Sequence, residues 1–339
     1  MSKWKRMTAS AILIMIVVWS LWGCGSYPEM SAKELNIMEP ENHLASWRKE
    51  LPQDGEYTAW DVGAVRGLEI QKDGETVFAV SYEPRAGKES FDYWDISEPY
   101  QSTVSVNTEE LYRLLDTVFQ MNWEKTEGIS LEDAGIAGSK TSIFIAYNRE
   151  QNAGEKGGEE PTVTRTILIG EKDGQGNYYA ALEGSKGVVR VNQVLMDDIL
   201  NINPYQYILK LPVLVSVDTV ETVQILSDGE HHEMEKKDDS WRLDGKEVDQ
   251  GEFQSLYGKL LDIMVLKEIE DDDADSKNAA RKPVLTLQFI RNVKEASDIE
   301  VKYFEYDEQF MSVSVNGHEY FLVEKSSVYN LMKDMGLLH

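Results

Sequence analysis

The sequence predicts an α+β fold built from two tandem copies of a mainly antiparallel sheet with a packed helix, placed after an N-terminal signal segment. Three observations predict it. An Asp-Gly turn between two strand-like runs occurs twice, at Asp73-Gly74 and Asp228-Gly229. A tryptophan strand follows each hairpin, in Tyr93-Trp94-Asp95-Ile96 and Ser240-Trp241-Arg242-Leu243. A capped amphipathic helix follows each tryptophan.

The first copy opens near Ala64, with strands over 65–70 and 76–82 around the Asp73-Gly74-Glu75 turn. The second opens near Thr219, with strands over 220–225 and 231–236 around Asp228-Gly229-Glu230. Asn107 precedes Leu111, Leu114, Leu115 and Val118; Asp249 precedes Phe253, Leu256, Leu260, Leu261 and Met264. Spacings of three and four place each set on one helical face. Asn107 and Asp249 stand where N-caps belong, with Glu110 and Glu252 three residues on, the spacing of a capping box. Both copies then return to strands, at 141–147, 164–169, 178–182 and 187–191, and at 284–290, 299–306, 311–315 and 319–323. Each ends in a short helix, over 193–200 and 326–335. The segments 151–161 and 171–177 read as exposed tips. Asn203-Pro204 and Leu211-Pro212 mark the boundary, because residues before proline avoid the helical region. The organisation is therefore a signal peptide over 1–23, a tether over 24–58, a first repeat over 59–205 and a second over 206–339.

The start of the chain carries its own signal. Lys3, Lys5 and Arg6 precede an apolar stretch from Ala9 to Leu21, and Cys24 follows Leu21-Trp22-Gly23. A basic n-region, a short apolar core and small residues at the end make a secretory signal. The stretch is shorter than the roughly 20 apolar residues that span a bilayer, and Ser10 and Ser20 interrupt it. Leu21-Trp22-Gly23-Cys24 resembles the lipobox of bacterial lipoproteins. That resemblance implies that the Cys24 thiol is acylated, that Cys24 becomes the new N-terminus, and that the protein sits lipid-anchored on the extracytoplasmic face of the cell membrane. Trp22 is bulkier than the residue usual at its position, which predicts slow cleavage.

Cys24 is the only cysteine, so the folded part has no disulfide, thiol nucleophile or thiolate metal site. An exported chain of this kind holds together by its core, for which 42% hydrophobic residues suffice. The net charge of −26 repels nucleic acid and anionic headgroups, which excludes a nucleic-acid partner and leaves the lipid to hold the membrane.

No catalytic, cofactor or metal residue is expected from the sequence. His231 and His232 are strand neighbours whose side chains point to opposite faces. His232-Glu233 and His318-Glu319 begin like a zinc-protease motif, yet Lys236 and Leu322 replace its second histidine. Gly138-Ser139-Lys140-Thr141 lacks the order of a phosphate loop and reads as a turn into the strand at Thr141. The acidic run Glu268, Glu270, Asp271, Asp272, Asp273 and Asp275 lacks the glycine and glutamate of a calcium loop, with Ser276 and Lys282 at those positions. Trp94 and Trp241 read as packing residues.

The order of these parts, with Ile167-Leu168-Ile169-Gly170, Asn177-Tyr178-Tyr179-Ala180 and Leu211-Pro212-Val213, resembles the domain of unknown function 4340 family over roughly residues 60–335. The Leu-Ile-Gly and Tyr-Tyr motifs have no clear counterpart in the second copy. The family carries no assigned catalytic residues. Its members are often encoded beside ABC-type export permeases and their auxiliary proteins, which implies an accessory role at a transporter. The expectation is thus a non-enzymatic surface lipoprotein, an accessory or scaffold of an ABC-type membrane transport complex. The alternative is a ligand-binding lipoprotein with a site at the junction of the two repeats.

Overall fold

Two hairpins with the same turn chemistry begin two sheets of the same topology. The computed structural model describes residues 62–84, 93–100, 104–119, 121, 123–148, 162–237, 240–269, 281–294 and 296–337. Cys24, the signal and tether, and the tip at 151–161 lie outside the described residues, as do His43, His339, Glu270, Asp271, Asp272, Asp273 and Asp275.

The first sheet contains β1 (Val65–Lys72), β2 (Glu75–Tyr82), β3 (Trp94–Glu98), β4 (Glu124–Lys125), β5 (Ser142–Asn148), β6 (Thr162–Lys172), β7 (Tyr178–Leu182) and β8 (Val189–Val191). The second contains β9 (Val220–Ser227), β10 (Glu230–Lys237), β11 (Ser240–Leu243), β12 (Lys246–Glu247), β13 (Val265–Glu268), β14 (Leu285–Arg291), β15 (Ile299–Glu305), β16 (Phe310–Val315) and β17 (His318–Glu324). Among the described residues four α-helices accompany them: α1 (Thr108–Phe119), α2 (Gln193–Leu200), α3 (Gln250–Leu261) and α4 (Lys325–Asp334).

The strand orders are β3-β2-β1-β5-β6-β7-β8-β4 and β12-β11-β10-β9-β14-β15-β16-β17-β13. Apart from the extra β12, one order maps onto the other strand for strand, and the named pairs are antiparallel. The fold is α+β, with two mainly antiparallel sheets.

Local chemistry explains the hairpins and helix starts. Asp73 and Gly74 have φ of 55° and 91°, and Asp228 and Gly229 have 44° and 91°, the left-handed pair that a type I′ turn requires. Asn107 accepts from the Glu110 amide at 3.4 Å, and Asp249 accepts from the Gly251 amide at 2.8 Å. The reciprocal arm of a capping box is diverted in the first repeat. The Asn107 amide donates to the Tyr207 carbonyl at 2.7 Å, and the Glu110 carboxylate accepts from Arg113 at 2.7 Å. Some boundaries differ from expectation. β6 runs to Lys172, so the tip closes at Asp173, whose carboxylate accepts from the Gln175 and Asn177 amides at 2.8 and 2.9 Å. β4, β12 and β13 were not expected from the sequence, since two to four mostly charged residues carry no strand periodicity.

The two sheets bury differently for a reason visible in their strands. β5 reads Ser-Ile-Phe-Ile-Ala-Tyr-Asn and is buried on both faces, whereas its counterpart β14 alternates Leu-Thr-Leu-Gln-Phe. The core-facing residues of both repeats form one continuous apolar cluster, from Val65 through Val106, Ile208 and Val223 to Val328.

Gly170 explains the glycine of the Leu-Ile-Gly motif. A Cβ there would stand 2.1 Å from the Ala134 carbonyl oxygen, which accepts the Glu171 amide at 2.9 Å. The turn carrying Ala134 and Ile136 thereby seals a small cluster over Ala181 and Val188. In the second sheet the register places Phe304 at this position. Gly170→Ala is expected to cost about 1–3 kcal/mol through backbone overlap, measured as a lower urea midpoint.

Candidate functional site at the repeat junction

A backbone ribbon joins the two sheets. Asp95 of β3 bridges Ser105, and Val106 bridges Ile208. The Leu209 amide donates to the Ser105 carbonyl at 2.8 Å, and the Val265 amide of β13 donates to the Lys210 carbonyl at 3.0 Å. The edge of the first sheet is thereby continued through two short segments to the edge of the second. Asn203 starts this linker by accepting from the Tyr205 amide at 3.1 Å, and Pro204–Tyr207 forms a single 3₁₀ turn.

Side chains fill the junction from both repeats. Tyr100 is 3% exposed, and its hydroxyl donates to the Glu268 carboxylate. Its ring lies 5.1 Å from Phe321 and 5.4 Å from Tyr320, while Tyr205 lies 6.2 Å from Phe321. The Lys210 ammonium donates to the Tyr205 carbonyl and sits over the Tyr205 ring. Burial pushes the Tyr100 phenol well above its ordinary range, reinforced by the hydrogen bond and charge of Glu268. Burial pulls Lys210 down to about 8, against the opposing pull of Glu268. No sequence pattern marks this cluster, since its members are scattered and only the linker brings them together. Glu268, read as the first residue of a solvated acidic run, is here a junction residue.

The titration of Lys210 has a measurable consequence. An unfolded lysine titrates at about 10.4, so between about 8 and that value the unfolded chain binds more protons. Stability contributed by Lys210 therefore rises with pH through this window. Tyr100 works the other way, but only from about pH 10 upward. Relative to Lys210→Met, the wild-type urea midpoint is expected to rise between about pH 7.5 and 9.5. Parallel profiles would show that Lys210 keeps an ordinary titration.

Of the other sequence-marked residues, His318 borders the junction through Tyr320 and Lys236 lies against Trp241. His231 is exposed, while His232 contacts Asp244 at 2.6 Å. Lys236 pairs with Asp218 and lies 5.1 Å over Trp241. His318 stacks on Tyr320 at 6.1 Å. Among the described residues no three of His, Cys, Asp or Glu gather as metal ligands. Ser139 closes the turn before β5, its hydroxyl accepting from the Thr141 amide at 3.1 Å. A shallow hollow of about 150 Å³ is lined by Glu124, Asn177, Arg190, Val191 and Asn192. Its arginine is engaged with Glu124 at 2.8 Å, and Asn192 caps α2 through the Val194 and Leu195 amides at 2.9 and 3.3 Å. Among the described residues no helix is long and apolar enough to cross a membrane.

Fold and junction define a duplicated α+β protein whose repeats are fused through a linker ribbon. The family described as Domain of unknown function (DUF4340) matches residues 94–283, and the chain belongs to that family. No curated protein matched, and no solved structure matched. The family motifs are structural here: Ile169 and Ala180 are buried in the core, and Tyr178 donates to Asp197 at 2.5 Å beside Lys172.

Proposed function

We propose that this protein is a non-enzymatic lipoprotein, anchored through Cys24 on the extracytoplasmic face of the cell membrane, serving as an accessory or scaffold of an ABC-type transport complex. The observation that carries the anchoring is Cys24 itself, the only cysteine, at the end of a basic and then apolar segment. Lipoprotein processing supplies a diacylglyceryl group, and two chains hold a protein stably where one binds marginally. The place beside a transporter rests on the company kept by members of the family. The junction supports a scaffold over a ligand cleft, because Tyr100, Tyr205, Tyr320 and Phe321 occupy the described space where a ligand between the repeats would sit. The continuous core supports a single body that transmits position rather than two lobes that close on a ligand.

Purification of the tagged chain from detergent-solubilised membranes, followed by mass spectrometry, tests this reading. Co-purification of a permease subunit at a fixed ratio is the expected result. Recovery of the chain alone would contradict it.

A further inference from the structure

The two repeats differ at one edge, and the difference exposes a place for another strand. Register makes Val104–Asn107 and Lys246–Asp249 the same element. Trp94 pairs with Tyr82 as Trp241 pairs with Lys236, and Asp95 faces Ser105 as Arg242 faces Glu247. Asn107 and Asp249 then each cap the following helix.

In the first repeat this element carries a further strand on its outer side. The Leu209 amide donates to the Ser105 carbonyl at 2.8 Å, the Tyr207 carbonyl accepts the Asn107 amide at 2.7 Å, and Ile208 is fully buried between them. In the second repeat the Val248 amide donates inward to the Trp241 carbonyl at 2.9 Å. Antiparallel alternation then turns the Glu247 N–H and C=O away from β11. Lys246, Glu247 and Asp249 are exposed, and no described strand pairs with them there.

The apolar residues beneath repeat the contrast. Trp94, Ile96, Val106 and Leu114 are at most 6% exposed, while their counterparts Trp241, Leu243, Val248 and Leu256 are only partly buried. No described element gives the second repeat what Tyr207–Lys210 supplies to the first: an extended strand with an aliphatic side chain turned inward.

We propose that the Lys246–Asp249 edge is a docking site for an extended segment of a partner protein, added as a β-strand with the aromatic–aliphatic pattern of Tyr207-Ile208-Leu209. Main-chain bonds to Glu247 and Asp249 supply affinity, and the partly buried apolar surface of Trp241, Leu243, Val248 and Leu256 selects the inward side chain. The occupant is inferred by continuity with the ribbon that already covers the equivalent edge. The flanking charges of Lys246 and Glu247 discourage indiscriminate edge pairing. This inference does not depend on the lipid anchor or on the identity of the transporter.

Hydrogen-exchange mass spectrometry on the full-length chain tests it, with a synthetic peptide of residues 203–213 as the probe strand. The expected result is several-fold slower exchange confined to residues 246–250. A peptide carrying Leu209→Pro, which lacks the amide that bonds the Ser105 carbonyl in the first repeat, and the protein variant Val248→Asp should both abolish the effect. Unchanged exchange with the peptide, or slowing spread elsewhere, would overturn the proposal. So would slow exchange without peptide that increases with protein concentration, since that identifies a second copy as the occupant. The peptide-side control keeps the test valid if Val248→Asp unfolds the chain.

Discussion

Trp94→Ala is expected to lower folding stability by about 3–5 kcal/mol, because it empties the centre of the first repeat and leaves a cavity. Trp94 is 1% exposed and is the largest of the fully buried side chains among the described residues. Its indole packs edge-on against Tyr82 at 5.4 Å and Tyr112 at 6.5 Å, and its N–H donates to the Tyr112 hydroxyl at 3.5 Å. Neighbours fixed on β2 and α1 cannot collapse into the space without moving those elements. The equivalent Trp241 is only partly buried, with Phe253 on one side at 4.9 Å and the Lys236 ammonium over its ring. Trp241→Ala is therefore expected to cost clearly less. Urea titrations of the two variants, followed by circular dichroism, give the comparison. Equal losses would mean that the two repeats are covered alike, contrary to the burial difference between them.

Cys24→Ala is expected to abolish incorporation of radiolabelled palmitate and to move the protein out of the membrane fraction. The effect is all-or-none, because no second cysteine exists to take the lipid. A chain of net charge −26 has no electrostatic hold on anionic headgroups, so nothing in the folded part substitutes for the anchor. Retention of the precursor by its uncleaved apolar segment would give membrane association without labelling, which the fatty-acid readout separates from anchoring. Unchanged labelling would remove Cys24 as the lipidation site.

What was legible in the sequence was what depends on neighbours close along the chain. The Asp-Gly turns need left-handed φ at two successive residues, and the capped helices need a short polar side chain before a periodic apolar face. Those rules place β1, β2, β9 and β10 within a residue or two and the starts of α1 and α3 after Asn107 and Asp249, whereas α3 ends at Leu261 and leaves Met264, expected on its apolar face, beyond its end and exposed. Strands that exist only because another strand offers them an edge were invisible. Glu124–Lys125 and Lys246–Glu247 have no alternation of their own, and β13 pairs with the sequence-distant β17, Val265 facing Val323. The junction is hidden for the same reason. Tyr100 and Glu268 meet only after the linker ribbon has brought β13 to the edge of the first sheet. The tryptophan repeat was legible as a pattern, but the unequal burial of Trp94 and Trp241 was not, because it depends on the strand at Tyr207–Lys210.

The proposed role, an anchored partner of a membrane transporter, places the chain within reach of a permease. Crosslinking in intact cells, with a photoreactive residue on the exposed face of α1 and mass spectrometry of the products, tests it most directly. The predicted result is a crosslink to a membrane permease or its auxiliary subunit that disappears in Cys24→Ala. Recovery of no membrane protein, or an identical crosslink without Cys24, would contradict it.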